Sequence, residues 1–374
     1  MDFELTDEQR AIRDSTRSLL QSHPGAARAL ADTAAGFDAG LWRQGTELGW
    51  SALAAPEEAG GLGQGVADLA IVAVEHGRFV TASPFMPTVA VLDALLRSGT
   101  DHHAALIDAL ISGESSAAWA FTEPRRSPTV DALQTTAVAA DSGYRITGEK
   151  VTVADASAAD VLLVDAVLDG NPARFLVPRD ASGVKIRRIE SLDITRELDD
   201  ITLDDVHVGQ EAMLGSTDTA RAAIERTLRL MTVLACAELV GVGEYLLETS
   251  VEYAKDREQF GVPIGSFQAV KHKCADMRMW VQASRAATLH AAMSLDADEA
   301  GSSPETAKAV SVAKAFVSES ICKTAGEALQ VHGGIGFTWE HDLHLYIRRA
   351  RANAALYGDA GHHHEALCAL LEAR

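Results

Sequence analysis

Apolar positions follow three regimes along the chain. The first is helical. Thr6 opens a helix with Gln9 as its capping-box partner, and Leu5, Ile12, Thr16 and Leu19 mark one face. His23–Pro24–Gly25 stops it. Helical stretches follow at Phe37–Gly49, Val66–Gly77, Pro87–Ser98 and His102–Ser112. The Gly-rich link Ala59–Gly65 has no preceding strand and no Lys-Ser/Thr ending, so it reads as a turn before a helix, not a phosphate loop.

At Ser116 the period changes. Leu133–Ala139, Tyr144–Thr147, Lys150–Val153, Val161–Val167, Arg174–Val177, Val184–Ile189 and Ile201–Val208 alternate or run β-branched, with Gly, Asp, Asn and Pro between them. Short strands with no helix between them predict an antiparallel sandwich or barrel. No GxGxxG follows a strand, which argues against a Rossmann nucleotide site. From Ser216 the helical period returns: Leu228, Met231, Ala235, Leu239, Val242 and Leu246 recur by threes and fours. Further helices are expected at Phe267–Leu295, from a Ser303–Pro304 start to Val331, at His341–Leu356 and at His362–Glu372. The fold class is therefore α+β: an N-terminal helical domain (1–115), a middle antiparallel β domain (116–213) and a C-terminal four-helix bundle (214–374).

Length agrees, since 374 residues exceed what one core usually serves. A net charge of −20 opposes nucleic-acid binding, although a local arginine cluster can still take a small polyanion. The acidic amphipathic N-terminus is no signal peptide, and no apolar run looks long enough to span a bilayer. Cys236, Cys274, Cys322 and Cys368 are widely spaced in apolar helical surroundings, without CxxC. They read as buried reduced thiols of a cytoplasmic protein, with no metal site. His362–His364 point in different directions on a helix and read as a solvated helix start. Arg10, Arg13 and Arg17 form a stripe that reads as ion-paired with neighbouring acids. His341 and His344 read as surface or interface contacts.

Two stretches carry chemistry. A helix runs into Arg257, Gln259, Phe260 and Gly261, breaks, and restarts at Phe267–Gln268; Gln330-Val-His-Gly-Gly-Ile-Gly-Phe337 lies further on. Together they offer a cation, amides and glycines to a large anionic cofactor. Arg257-Glu-Gln-Phe-Gly261 with Phe267-Gln268 resembles the RxxFG…Q signature of the acyl-CoA dehydrogenase family. Gln330–Phe337 resembles its QxxGGxG(F/Y) loop. Arg348–Arg349, the N-terminal Leu-Thr-Asp-Glu-Gln-Arg and Phe121-Thr-Glu-Pro124 also fit, so the resemblance covers the whole chain.

The resemblance implies an acyl-CoA substrate and an FAD cofactor that lies across a subunit interface. In the family, the β domain of one subunit holds the flavin ring and a neighbour's bundle holds pyrophosphate and adenosine. Carried over by position, Arg257 pairs with pyrophosphate. Gln259, Phe260 and Gln268 line the adenosine end, and Gln330, Gly333 and Gly334 form a close-approach loop.

The other half departs from the pattern. Thr122-Glu-Pro124 is followed by Arg125-Arg126-Ser127-Pro128 in place of Gly-Ser-Asp. After Gly148-Glu-Lys150, the family's flavin-side aromatic position is Thr152 and its hydroxyl position is Ala154. The catalytic Glu in the last loop falls on Tyr357, with Asp359 two residues later. Its alternative position on the first bundle helix falls on Met231, and the substrate-side Arg that often follows is Thr232. Glu225 and Glu238 share that helix at the wrong offset; two turns are about 10 Å of rise.

Three readings stay open. In the first, the chain is a half-site subunit of a heteromeric enzyme, resembling actinobacterial α2β2 dehydrogenases of steroid side-chain CoA thioesters. In the second, it is a self-sufficient homotetramer with Asp359 as base. In the third, it is a flavin-free binding or scaffold member.

Overall fold

The structure, a computed structural model, describes residues 4–31, 36–99, 101–125, 127–298 and 300–372. Local capping chemistry sets the N-terminal helices α1 (Asp7–Gln21), α2 (Ala26–Ala31), α3 (Ala39–Glu47), α4 (Val66–Arg78), α5 (Phe85–Arg97) and α6 (Ala104–Ser112). The Thr6–Gln9 capping box forms as expected. Asp38 caps α3 through the N–H groups of Gly40 and Leu41. The first amides of α4, from Val66 and Ala67, donate to the Asp296 carboxylate at 2.6 and 3.0 Å. An internal acid thus satisfies the helix start that follows the Gly-rich link, leaving it no role as a phosphate loop.

The middle region holds β1 (Ala117–Ala120), β2 (Thr136–Ala140), β3 (Gly143–Ala154), β4 (Val161–Leu168), β5 (Asn171–Pro178), β6 (Val184–Arg188) and β7 (Leu198–Gly209). The expectation of a wholly antiparallel sheet needs correction. β4 pairs antiparallel with β5 along one edge, but parallel with β1 and then β2 along the other. The remaining pairs, β2–β3, β3–β7 and β6–β7, are antiparallel. β1 escapes the periodic reading because Ala-Ala-Trp-Ala is short and buried on both faces. Trp119 and Phe121 face the helices, while Ala118 and Ala120 face the core of the β domain. The two runs expected at 144–147 and 150–153 are one bulged strand, β3.

The C-terminal region comprises α7 (Thr217–Asp256), α8 (Gln268–Ala297), α9 (Pro304–His332), α10 (Leu343–Ala355) and α11 (Ala360–Glu372). α7 corrects the membrane reading. Its best 18-residue window has a mean hydropathy of 1.7, enough by length and composition to cross a bilayer, but 83% of that window is buried in the protein's own core. The cysteines are free. Cys236 is buried, but Cys368 is exposed rather than buried as expected.

One guanidinium joins all three regions. Arg349 of α10 is fully buried and bonds to Glu238 of α7 and Asp193 before β7. It also bonds to Thr195 Oγ1 at 2.7 Å and to the carbonyls of Val80 and Thr81 at 3.3 Å. Beside it, α4 and α7 pack at backbone contact. A Cβ on Gly241 would lie 1.8 Å from the Val74 carbonyl oxygen, and one on Gly77 would lie 1.9 Å from that of Glu238. Gly241→Ala should therefore cost about 1–3 kcal/mol by overpacking, read as a lower urea midpoint. An unchanged midpoint would show that this crossing yields freely.

Candidate functional site

α7 ends at Asp256, and Arg257 caps it. A hairpin of Glu258–Gln259 against Val262–Pro263 follows, turned by Phe260 (φ 55°) and Gly261 (φ 78°). Two successive left-handed residues make a type I′ turn. This conformation is uncommon for a residue other than glycine, and it holds the Phe260 ring 94% exposed. Its edge faces the Phe267 ring at 6.1 Å. α8 restarts at Gln268.

The end of α9 lies beside this turn. The His332 ring stacks on Tyr253 of α7 at 4.7 Å, and Lys273 of α8 pairs with Glu327 of α9. At Gly333 the chain turns left-handed (φ 59°), and Gly333–Phe337 form a short 3-10 turn. A Cβ on Gly333 or Gly334 would meet nothing within 4 Å. The structure thus brings the seven residues expected to bind cofactor to one end of the bundle. Arg257, Gln259, Phe260, Gln268, Gln330 and Gly334 are exposed and Gly333 half-buried. Gln259 Nε2 donates to the Glu258 carbonyl at 2.7 Å. Arg257 has no ion pair among the described residues. An unpaired guanidinium beside a Cβ-free loop and exposed amides is a donor set that fits the phosphate and adenosine end of a dinucleotide.

The altered positions gather elsewhere, between β3, β1, α7 and the loop after α10. Thr152, Ala154, Met231 and Tyr357 line one cavity together with Trp119 and Phe121. Its volume is about 10 Å³, room for about one water. Trp119 stacks on Phe121 at 4.9 Å and lies 6.2 Å from the Tyr357 ring. Its indole N–H is held by Asp165 at 2.6 Å. Thr152 and Tyr357 both have positive φ. The donor set here does not fit a flavin ring: aromatic and thioether side chains fill the space, and no carboxylate lines it.

The remaining acids are occupied. Asp359 lies in solvent, where its carboxylate accepts from the His362 N–H at 2.8 Å and caps α11. It does not line the closed cavity. Glu225 bonds to Arg229. Glu238 is buried and accepts from Arg196, Arg349 and Asn353. Burial alone would raise its pKa, but Arg196 and Arg349 outweigh burial and hold it down at about 2. It is a structural anion, not a base. Thr232 bonds to the Leu228 carbonyl. Glu123 accepts from Lys150 at 2.8 Å and from the backbone amides of Gln134 and Thr135, so Thr-Glu-Pro here braces the β domain. Arg125 is exposed, and Arg126 lies outside the described residues.

Sequence reasoning missed the Arg196–Glu238–Asn353–Arg349 network, whose members are far apart along the chain. It also misjudged His363, which is buried, not solvated. Its Nε2 donates to the Tyr357 carbonyl at 3.1 Å and its Nδ1 accepts from Ser311 at 3.3 Å, a tautomer assigned from its partners. Among the described residues, no group of three or more His, Cys, Asp or Glu is placed to hold a metal.

Three family descriptions match in succession: acyl-CoA dehydrogenase N-terminal domain over residues 6–114, middle domain over 118–206 and C-terminal domain over 221–367. Acyl-CoA dehydrogenase IpdE2 of Mycobacterium tuberculosis (strain ATCC 25618 / H37Rv) is 32% identical over 354 residues, 94% of this chain and 93% of that protein. In the crystal structure of the ChsE4-ChsE5 complex from Mycobacterium tuberculosis, a chain of 27% identity superposes with a TM-score of 0.91 over 100% of both chains. A Tcur3481-Tcur3483 steroid ACAD variant superposes with a TM-score of 0.88 at 28% identity over 98% of each.

His363 anchors the Tyr357 loop and gives it a pH dependence. Burial pushes its pKa down to about 4, whereas the unfolded residue titrates near 6.5. Between these values the unfolded chain takes up a proton that the folded chain refuses. Its contribution is full above about pH 6.5 and is lost as pH falls toward 4. On moving from pH 7 to 5, wild type should lose about 1–2 kcal/mol more than His363→Gln, measured by urea denaturation. Equal losses would show that His363 titrates normally.

Proposed function

Because this chain belongs to the acyl-CoA dehydrogenase family, we propose that it is a subunit of an FAD-dependent acyl-CoA dehydrogenase that completes a partner chain's cofactor site and lacks a working base of its own. The family's reaction removes the α-proton of an acyl-CoA thioester with a carboxylate. FAD, when bound, takes up the β-hydride. That demands a carboxylate in contact with the α-carbon and room for the isoalloxazine.

The closed cavity carries the reading. Both family base positions, now Met231 and Tyr357, and both altered flavin-side positions, Thr152 and Ala154, line the same space of about 10 Å³. The opposite half of the family's site is intact and open. Arg257 serves pyrophosphate, Gln259, Phe260 and Gln268 serve adenosine, and Gln330, Gly333 and Gly334 offer backbone donors at close approach. Within one subunit these residues have nothing to bind, so they imply a neighbouring chain. Two structural neighbours carry paired names, ChsE4-ChsE5 and Tcur3481-Tcur3483, which supports a second dehydrogenase subunit and an α2β2 assembly. The second is named a steroid ACAD, which supports a bulky acyl group.

Self-sufficient catalysis by Asp359 gains no support, because that carboxylate caps α11 away from the cavity.

Expression of the chain alone and with a neighbouring dehydrogenase gene tests the proposal. The expected result is a colourless, inactive chain alone and a yellow, active complex with the partner. A yellow, active homo-oligomer overturns it. Absence of flavin and activity with every partner favours a scaffold role. In the active complex, Arg257→Ala should weaken flavin binding about tenfold or more, read as flavin absorbance per protein after dialysis. Unchanged occupancy would remove Arg257 from the site.

A further inference from the structure

A second cavity, of about 320 Å³, lies between α1, α4, α7 and α8 and shares no residue with the closed one. Its size falls at the lower end of small-molecule sites, about 300–1,000 Å³. Its walls are apolar, with Ile71 and Val74 of α4, Val240 and Leu247 of α7, and Val281 and Leu289 of α8. α4 and α8 run antiparallel, because the start of α4 bonds to Asp296 near the end of α8.

The charges around this cavity are nearly all compensated. Arg17 donates two hydrogen bonds to buried Glu75, Arg285 donates to Glu244 at 2.9 Å and Arg13 pairs with Asp14. The arginine stripe of α1 is thus ion-paired, as its pattern predicts, yet two of its members, Arg13 and Arg17, also form part of the cavity wall. Arg278 is different. It is exposed and has neither an ion pair nor a side-chain hydrogen bond among the described residues.

At the other end of the α8 wall stands Thr288. It is 3% exposed, lines the cavity, and its hydroxyl has no hydrogen-bond partner among the described residues. Buried helical threonines ordinarily bond back to the carbonyl four residues earlier. Thr227, Thr232 and Thr324 all do so here. Thr288 does not, and an unmet buried hydroxyl carries a desolvation penalty that a ligand oxygen would remove.

Ten residues of helix separate Arg278 from Thr288, about 15 Å. We propose that this cavity binds a hydrophobic monocarboxylate of about that length, its carboxylate on Arg278 and a hydroxyl or carbonyl oxygen at its far end on Thr288. A single uncompensated guanidinium suits one carboxylate, which it can grip in bidentate fashion. It does not suit a nucleotide or a coenzyme A polyphosphate, which would need several. The site is independent of the cofactor half-site and of the subunit role proposed above.

The probe is ω-hydroxylaurate, titrated calorimetrically into the full chain in the assembly with which it purifies. Laurate and the matching diol serve as comparisons. Saturable binding of one ligand per chain is expected. Arg278→Gln should weaken ω-hydroxylaurate about tenfold or more and leave the diol unchanged. Thr288→Val, an isosteric change, should erase the preference for ω-hydroxylaurate over laurate while laurate still binds. No saturable binding to the wild type overturns the proposal, as does binding that neither variant alters.

Discussion

The buried guanidinium of Arg349 is the contact on which the arrangement of this chain depends. It takes oxygens from the segment after α4, from the segment before β7 and from α7, so a single planar cation fixes three regions relative to one another. Burial of such a charge is tolerable only because it is matched. Arg349 and Arg196 face Glu238 and Asp193, two cations against two anions, and backbone carbonyls take up further N–H groups. Removing one partner from such a set would leave an uncompensated charge, which is far more destabilising than the intact network is stabilising. Glu238 is ionised on this account, and its bonds to Arg196, Arg349 and Asn353 make it a strut rather than a reagent.

That strut separates two surfaces with opposite character. At the far end of α7 and α9, the chain turns outward, with glycines at positive φ, an Arg257 that has no ion pair among the described residues, and exposed apolar side chains: Phe260, Phe267, Ile335, Phe337 and Trp339. Between α7 and the sheet, the chain is filled by Trp119, Met231 and Tyr357. The first surface is open to solvent; the second is packed around a space of about 10 Å³.

Much of this was legible in the sequence, for identifiable reasons. Long helices announce themselves by period, and the Thr6 and Ser303 caps act within three residues. The turns beside Arg257 and at Gly333 depend on near neighbours, so the sequence marks where they fall. Other features depend on distant partners. β1 pairs in parallel with a strand more than forty residues on, and nothing in Ala-Ala-Trp-Ala specifies that direction. The Arg349 network joins residues 111 and 156 positions apart. His363 sits in an exposed-looking His-His-His run, and only packing against Ser311 and the Tyr357 loop decides which of the three is buried. Met231 and Tyr357 lie 126 positions apart, and only the fold shows that they line one cavity.

The type I′ turn at Phe260–Gly261 has a consequence for the life of the chain in a cell. A left-handed phenylalanine is held in a conformation that costs about 1–2 kcal/mol, and its ring stands in water with other large apolar side chains on the same end of the bundle. Contiguous apolar surface of this kind drives self-association. The hairpin turn places that ring on the surface. At high concentration this end of the bundle is therefore where chains of the protein would associate.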